Sequence, residues 1–158
     1  MKEKAFAKQL KEGLTAGQAG EKLAAFEAER LGMEILSRNY RNGKRGEVDI
    51  IARDGAFIVF VEVKTRRHEN LLSGSASEHT GQQAVNQHKR QKIMTTAFAY
   101  LREHPREAHT ARLHLRFDLM LVDFYLSRSM MREYLEAGDL VALDERCRIS
   151  HFKDIFQY

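Results

Sequence analysis

The sequence predicts an α/β fold in which helices flank a mixed central sheet. Three observations predict it. Two arms rich in Val, Ile and Phe meet at Asp54-Gly55, which is a strong hairpin signal. Residues 15–32 and 82–104 have helical periodicity, and residues 113–124 form an alternating apolar run. The resulting order of elements is α-β-β-β-α-β.

Size and composition indicate one globular domain. The chain has 158 residues, 43% of them hydrophobic and 30% charged, which suffices for a real core. We expect residues 1–14 to form a flexible arm and residues 15–158 a single domain. No apolar run is long enough to span a membrane, and the N-terminal residues lack the apolar core of a signal peptide. Cys147 is the only cysteine, so we expect a cytoplasmic protein with no membrane partner.

Local signals place the individual elements. Thr15 and Gln18 have capping-box spacing at the start of the first helix, and Gly32 follows its end. Pro105 is expected to end the second helix. The other predicted elements are a strand at Met33–Arg41, a polar loop at Thr65–Gly81, a helix at Ser127–Ala137 and a last strand at Arg148–Phe152. The sequence assigns no role to Ser127–Cys147.

The central hairpin, residues 46–64, gathers charged side chains on one face. With Asp54-Gly55 as a two-residue loop, Asp49 faces Phe60 and Glu47 faces Glu62. Because side chains alternate with period two, Glu47, Asp49, Glu62 and Lys64 share a face. Asp49 and Glu62 are then diagonal neighbours, roughly 7–8 Å apart at Cα.

Carboxylates grouped in this way repel one another and lose hydration, so they need a compensating cation. Mg²⁺ or Mn²⁺ is the expected cofactor, since both prefer carboxylate oxygens. Lys64 would hold a water or stabilise developing negative charge beside the metal. The alternative interpretation is a solvated strand face with cross-strand ion pairs. For Glu21, a first-turn acid favoured by the helix dipole is the preferred interpretation over a site role, and His68 and His79 are expected to be exposed loop residues.

The positive charge is concentrated around this hairpin. Residues 38–67 hold eight Lys or Arg and four acids, a balance of +4 that equals the net charge of the chain. A basic rim around an acidic centre is typical of nucleases, in which cations hold the phosphate backbone and carboxylates hold metal. Lys89, Arg90 and Lys92 form a further basic cluster on the second helix, with a solvated helix face as the alternative.

The order of elements, with Asp in the second strand and Glu-x-Lys in the third, resembles the PD-(D/E)xK nuclease superfamily. More closely, the chain resembles the YraN-like family of bacterial proteins from about Gly17 to its end. The matching segments are residues 17–21, 38–41, 46–52, 59–66, 116–118 and 149–152, together with Lys89, Ala97 and Leu101. Val48 stands where the superfamily motif has proline. The resemblance implies a restriction-endonuclease-like αβββαβ core.

The resemblance also implies roles for single residues. Asp49 and Glu62 match the metal-binding acids, and Lys64 matches the lysine that orients the attacking water. Glu21 matches a helix glutamate of the branch that contains Holliday-junction resolvases. The implied metal ligands are Asp49, Glu62, the Val63 carbonyl and Glu21, and the candidates for nucleic-acid contacts are Lys44, Arg45, Arg66, Arg67 and Lys89.

The function expected from both arguments is metal-dependent hydrolysis of phosphodiester bonds in DNA, with branched DNA favoured by the resolvase resemblance alone. DNA is favoured over RNA, and a homodimer would suit a two-fold junction. The first alternative is a nuclease-like domain that binds nucleic acid or a partner protein without cutting. The second is an assembly factor in which the charged cluster is structural.

Overall fold

The computed structural model describes residues 13–69, 85–111 and 114–157, and it has the predicted α/β architecture. Within these described residues, five strands form one sheet and five helices lie around it. In chain order the elements are α1 (Ala16–Arg30), β1 (Glu34–Arg41), β2 (Glu47–Asp54), β3 (Phe57–His68), α2 (Gln87–Glu103), α3 (Pro105–Ala111), β4 (Leu115–Tyr125), α4 (Arg128–Ala137), α5 (Leu140–Glu145) and β5 (Cys147–Phe152).

The sheet is mixed, as predicted. Its spatial order is β1-β2-β3-β4-β5. Neighbouring strands are antiparallel except for β3 and β4, which are parallel. Parallel neighbours need a crossover connection, and the chain between β3 and β4 contains α2 and α3. This architecture is consistent with a restriction-endonuclease-like core.

The β2–β3 turn differs from the prediction by one step along each strand. Arg53 pairs with Ile58 and Asp54 with Phe57, so the two-residue loop is Gly55-Ala56 and the predicted Asp54-Gly55 loop was wrong. Gly55 takes the positive φ of +58° that the turn requires. Asp54 stays in the strand, where its carboxylate accepts a hydrogen bond from Arg116 at 2.6 Å. Because the register moves by two residues, the same side chains remain on each face.

Both faces of the sheet are covered, each by its own apolar cluster. On one face, the strand residues Ile50, Ala52, Val59 and Val61 pack against the side of α1 that carries small residues. Met131 of α4 and Leu140 and Leu143 of α5 complete this cluster, which we call the α1-side cluster. On the other face, Ile51, Ile58 and Phe60 pack with Ile93, Ala97 and Tyr100 of α2. Residues 127–147, which had no role from sequence, therefore cover one face of the sheet.

The observed ends of the helices and strands can be compared with those predicted from capping residues, glycine and proline. Thr15 caps α1 through a complete capping box with Gln18, and Gly32 follows its end at φ +89°. Pro105 ends α2 but also begins α3, which was not predicted. The loop expected from Thr65 starts later, because β3 stays paired with β4 as far as His68. Residues 70–84, which contain the rest of the loop predicted to reach Gly81 and also His79, lie outside the described residues.

The predicted N-terminal arm also lies mostly outside the described residues. Its last residue, Leu14, donates its N–H to the Leu135 carbonyl at 2.8 Å and packs against the α1-side cluster. Among the helices of the described ranges, none combines the length and apolar character needed to cross a bilayer.

Candidate metal centre and basic groove

The candidate site lies where β2 and β3 stop pairing. The last backbone pair of this ladder is Ile50–Val61, and Asp49 and Glu62 are the next residues on the two strands. Beyond that point the Val63 N–H donates to Asp49 Oδ2 at 2.7 Å. The Asp49 side chain thus accepts a backbone hydrogen bond where the β2–β3 ladder has ended. Asp49 is 8% exposed and Glu62 is 4% exposed. The structure thus places two carboxylates side by side in a largely dry position.

The environment of Asp49 opposes its ionisation. Burial, followed by the negative charge of Glu62, raises the pKa of Asp49 to about 7, and Glu21 adds to the effect. The hydrogen bond from Val63 and the charge of Lys89 act in the opposite direction. A carboxyl group whose pKa lies near neutrality because of a second buried carboxylate is typical of functional sites.

The two oxygens of Glu62 have different surroundings. Oε1 lies 3.1 Å from the Lys89 ammonium and 3.6 Å from that of Lys64. Oε2 is buried and lacks a hydrogen-bond partner within the described part of the chain. A buried carboxylate oxygen without a partner is costly, so this atom is a candidate for a ligand bond.

The donor set fits a hard cation that keeps part of its water shell. Within residues 13–69, 85–111 and 114–157, no group of three or more His, Cys, Asp or Glu is arranged to hold a metal. Mg²⁺ commonly binds proteins through one or two carboxylates and retains several waters. Asp49 and Glu62 meet that requirement, and the unpartnered Oε2 of Glu62 has no other function in the described structure.

Glu21 and Glu47, the other two acids on the predicted list, lie apart from this pair. Glu21 is half-buried on α1 and lines a pocket of about 440 Å³ together with Val63. It is near enough to influence Asp49 electrostatically. Glu47 instead pairs with Arg41 at 3.0 Å, and its side chain is 45% exposed. The predicted face of three clustered carboxylates is therefore a buried pair with Glu47 outside it.

A basic groove of about 590 Å³ lies next to Lys64. It is formed by the β1–β2 turn, the start of β2, the end of β3 and the first turns of α2. Five Lys or Arg side chains and one acid line it, so its field is positive. The lining residues are Arg41, Gly43, Lys44, Gly46, Glu47, Lys64, Asn86, His88, Lys89 and Lys92.

Close packing at Gly46 fixes the groove against the hairpin. A Cβ atom at Gly46 would lie 2.7 Å from Thr96 Oγ1 and 3.1 Å from the Lys92 carbonyl oxygen. The backbone of β2 therefore approaches α2 as closely as glycine allows. This contact explains why lysines of α2 reach the end of the hairpin.

The predicted nucleic-acid contacts fall into two groups. Lys44 and Lys89 line the basic groove, and Arg45 is exposed in the adjacent turn. Arg66 instead makes two hydrogen bonds to Asp123 at 2.8 and 3.1 Å. Arg67 donates to the Leu126 carbonyl at 3.1 Å. Arg66 and Arg67 therefore have partners within the protein. Both also line the pocket that contains Glu21 and Val63.

The sequence did not indicate the cluster around Asp123. His68 Nε2 lies 2.8 Å from Asp123 Oδ1, and the His68 ring stacks on Tyr125. Burial opposes ionisation of Asp123, but the hydrogen bonds from Arg66 and His68 outweigh it and lower the pKa of Asp123. His68 was expected in an exposed loop, and that prediction was wrong because the β3–β4 ladder brings it beside Asp123. The available signal was Asp123 within the otherwise apolar segment Leu119–Phe124.

Sequence comparison with known proteins identifies the family of this chain. The model of the uncharacterised protein family UPF0102 matches residues 20–122. The chain belongs to the UPF0102 family. A UPF0102 protein of Chlorobium phaeobacteroides is 38% identical over 141 residues, covering 89% of this chain and 92% of the relative. One from Syntrophus aciditrophicus is 34% identical over 92% of this chain and 91% of the relative.

A third UPF0102 protein, from Rhodococcus opacus, is 43% identical over 109 residues, which cover 69% of this chain and 82% of the relative. The family match begins at Gly20 and ends at Val122. It therefore contains both carboxylates, Lys64 and Lys89. Family membership confirms the resemblance to the YraN-like proteins, and the chemistry has to be argued from the site.

Proposed function

We propose that this UPF0102 protein is a metal-dependent phosphodiesterase that acts on nucleic acid. The observation that carries the proposal is the buried pair of Asp49 and Glu62 at the edge of a basic groove, with one Glu62 oxygen that has no hydrogen-bond partner among the described residues. Buried acids supply metal ligands, and the lysines beside them supply a phosphate site. Neither feature alone supports a nuclease as strongly as their contiguity does.

Asp49 and Glu62 would hold Mg²⁺ or Mn²⁺, with the Val63 carbonyl and Glu21 as further candidate ligands. When bound, the metal would lower the pKa of a water and offset the charge of the phosphate. The Val63 N–H keeps Asp49 oriented through its 2.7 Å hydrogen bond. The burial of both acids excludes competing water from their oxygens.

Lys64 is the candidate for positioning the nucleophile. Its ammonium lies 3.6 Å from Glu62 Oε1, and its side chain is 44% exposed where it lines the groove. It therefore contacts both the acid pair and the space where a phosphate would lie. From there its N–H groups can orient a water toward phosphorus and then donate to the phosphoryl oxygens as negative charge develops.

The groove would hold the sugar-phosphate backbone. Lys44, Lys92 and Arg41 line it, and contacts of this kind give affinity without sequence preference. DNA as the substrate, and branched DNA in particular, rests on the resemblance to resolvases. Cleavage of supercoiled, single-stranded and four-way-junction DNA, with a matched RNA, separates these substrates.

The experiment is a cleavage assay with Mn²⁺ or Mg²⁺ on wild type, Glu62→Gln and Lys64→Ala. Matched controls are Glu34→Gln and Lys153→Ala, whose ion pairs with Arg53 and Asp54 lie elsewhere on the sheet. We expect metal-dependent cutting that falls by at least roughly 100-fold in both site variants and stays near wild type in both controls.

A non-catalytic binding protein is the second candidate. The internal partners of Arg66 and Arg67 and the ion pair between Lys89 and Glu62 favour it. In that case no protein would cut any substrate, and DNA binding would be the same in wild type and Glu62→Gln. That pair of results would overturn the nuclease proposal.

A further inference from the structure

We infer that Lys89 is a second lysine of the candidate site and that it competes with the divalent cation for Glu62. This inference rests on the proposed function, since it presupposes that Asp49 and Glu62 bind metal. From the sequence, Lys89 was expected either to contact a phosphate backbone or to lie on a solvated helix face. Its ammonium instead lies 3.1 Å from Glu62 Oε1, closer than that of Lys64.

The backbone of Lys89 is held firmly. Lys89 is the third residue of α2, and its N–H donates to the side chain of the N-cap residue Asn86 at 2.9 Å. Further along the helix, Gly46 packs against Lys92 and Thr96. The first turn of α2 therefore has a fixed position relative to the hairpin, and Lys89 reaches Glu62 from a rigid base.

The position of Lys89 in the helix is unfavourable without an acidic partner. The N-terminus of a helix carries partial positive charge, which disfavours a lysine there. The first turn of α2 contains no acid that could compensate. Glu62 supplies the missing negative charge from the neighbouring strand, so the pair stabilises the helix start and the buried carboxylate together.

Glu62 is one buried carboxylate with two ammonium groups near it, whereas a structural ion pair needs only one. Lys64 alone would neutralise Glu62, yet Lys89 is nearer and less exposed, at 32% against 44%. A cation bound at Glu62 would repel an ammonium held 3.1 Å from Oε1. Lys89 must then move away or weaken metal binding, and the groove that it lines offers its side chain another position.

The test is the affinity for Mn²⁺ alone, measured by the loss of the free-ion electron paramagnetic resonance signal. Wild type is compared with Lys89→Met and with Lys92→Met, which removes the same charge from the same helix without an ion pair to Glu62. We expect Lys89→Met to bind Mn²⁺ roughly tenfold more tightly than wild type, and Lys92→Met to change less than about threefold. Equal affinities in the two variants, or weaker binding by Lys89→Met, would overturn the inference.

Thermal denaturation keeps the test valid if Lys89→Met is poorly folded. In EDTA this variant should melt below Lys92→Met, because Glu62 loses its nearer partner. Saturating Mn²⁺ should raise its melting temperature by more than it raises that of Lys92→Met. Lys89→Gln, which keeps a polar side chain, should show the same order, and an equal rise in all variants would count against the inference.

The proposed function fails in a different way. If wild type binds Mn²⁺ no better than Asp49→Asn, the acid pair is not a metal site, and the proposed function falls together with this inference. If wild type binds Mn²⁺, Asp49→Asn does not, and Lys89→Met behaves like Lys92→Met, the inference alone is wrong.

Discussion

At the scale of single residues, the sheet contains buried acids of two opposite kinds. Asp118 is buried, yet hydrogen bonds from His151, Arg116 and the Asp154 N–H outweigh its burial and lower its pKa. Asp49 is also buried, but its pKa rises because burial and the charge of Glu62 outweigh its one hydrogen bond. The first acid is stabilised by its surroundings and is structural. The second is destabilised unless a cation compensates, which is the reason for assigning it a function.

This difference predicts how stability depends on pH without metal. The pKa of Asp49 is about 7 in the folded chain and about 4 in an unfolded chain. Between pH 4 and pH 7 the folded state binds a proton at Asp49 that the unfolded state has released. The contribution of Asp49 to the free energy of unfolding is therefore fully present below about pH 4 and is lost as the pH rises to about 7. Asp49→Asn should remove this loss and be more stable than wild type at pH 8 by on the order of 4 kcal/mol.

Urea denaturation in EDTA from pH 4 to 8 measures the effect. The side-chain oxygen of Asn can still accept a hydrogen bond from the Val63 N–H, as Asp49 does at 2.7 Å. The substitution therefore removes the charge and keeps the hydrogen bond. Glu47→Gln is the control, since that acid is exposed on the same strand. A parallel pH dependence in wild type and Asp49→Asn would contradict the assignment of buried, uncompensated charge to Asp49.

At the scale of elements, the close approach of α1 to β3 holds Glu21 near enough to influence Asp49 electrostatically. A Cβ atom at Gly20 would lie 2.0 Å from Thr65 Oγ1 and 3.2 Å from Thr65 Cβ. Ala24 and Ala28, which are small and fully buried, allow the same side of α1 to lie close to the sheet. Because Glu21 is the next residue on α1, its position depends directly on this contact.

Gly20→Ala should therefore destabilise the protein by about 1–3 kcal/mol, since α1 or Thr65 has to move. Gly17→Ala is the matched control on the same helix, where the nearest atom to a new Cβ is Thr15 Oγ1 at 4.0 Å. It should be neutral or stabilising by up to about 1 kcal/mol. Adding Thr65→Ala to Gly20→Ala should recover most of the loss, and equal stabilities for the two glycine variants would refute the packing argument.

Sequence patterns predicted this architecture to a large extent, and the failures have physical causes. The capping box at Thr15 and the alternation in β2 and β3 are local signals, so the start of α1 and the alternation of strand faces were predictable. The predicted start of α2 at residue 82 was wrong, because that helix begins at Gln87 after its N-cap Asn86. The turn residues were not, because Asp54 is held in its strand by Arg116, which is 62 positions away. His68 was misplaced for the same reason, since its partner Asp123 lies on the neighbouring strand.

The candidate site was predicted to a similar degree. Period two placed Asp49, Glu62 and Lys64 on one face. The two-residue error in register left the alternation unchanged over the paired residues 50–54 and 57–61, which end just before Asp49 and Glu62. The roles of Glu47 and Lys89 depend on contacts between elements. Glu47 pairs with Arg41 of β1, and Lys89 reaches Glu62 from α2. A pattern within one strand contains no information on either contact.

At the scale of the whole molecule, two charged centres in the described part of the sheet differ in how their charges are compensated. One contains Arg116 and Asp118 near the starts of β3 and β4, where each buried charge has partners: Arg116 bonds both Asp118 and Asp54. The other is the acid pair where β2 and β3 diverge, beside the basic groove. The first centre joins strands. The second combines a buried acid pair, in which Glu62 Oε1 lies near Lys64 and Lys89, with a positive groove whose charge suits the phosphodiester of the proposed function.

The measurement that tests the central claim most directly is anomalous X-ray scattering from crystals grown with Mn²⁺. The account predicts one strong Mn²⁺ peak within bonding distance of both Asp49 and Glu62, and no such peak in Glu62→Gln crystals. Wild-type crystals at millimolar Mn²⁺ that show no peak at this pair, with Lys89 still bound to Glu62 Oε1, would contradict the assignment of this UPF0102 protein as a metal-dependent phosphodiesterase.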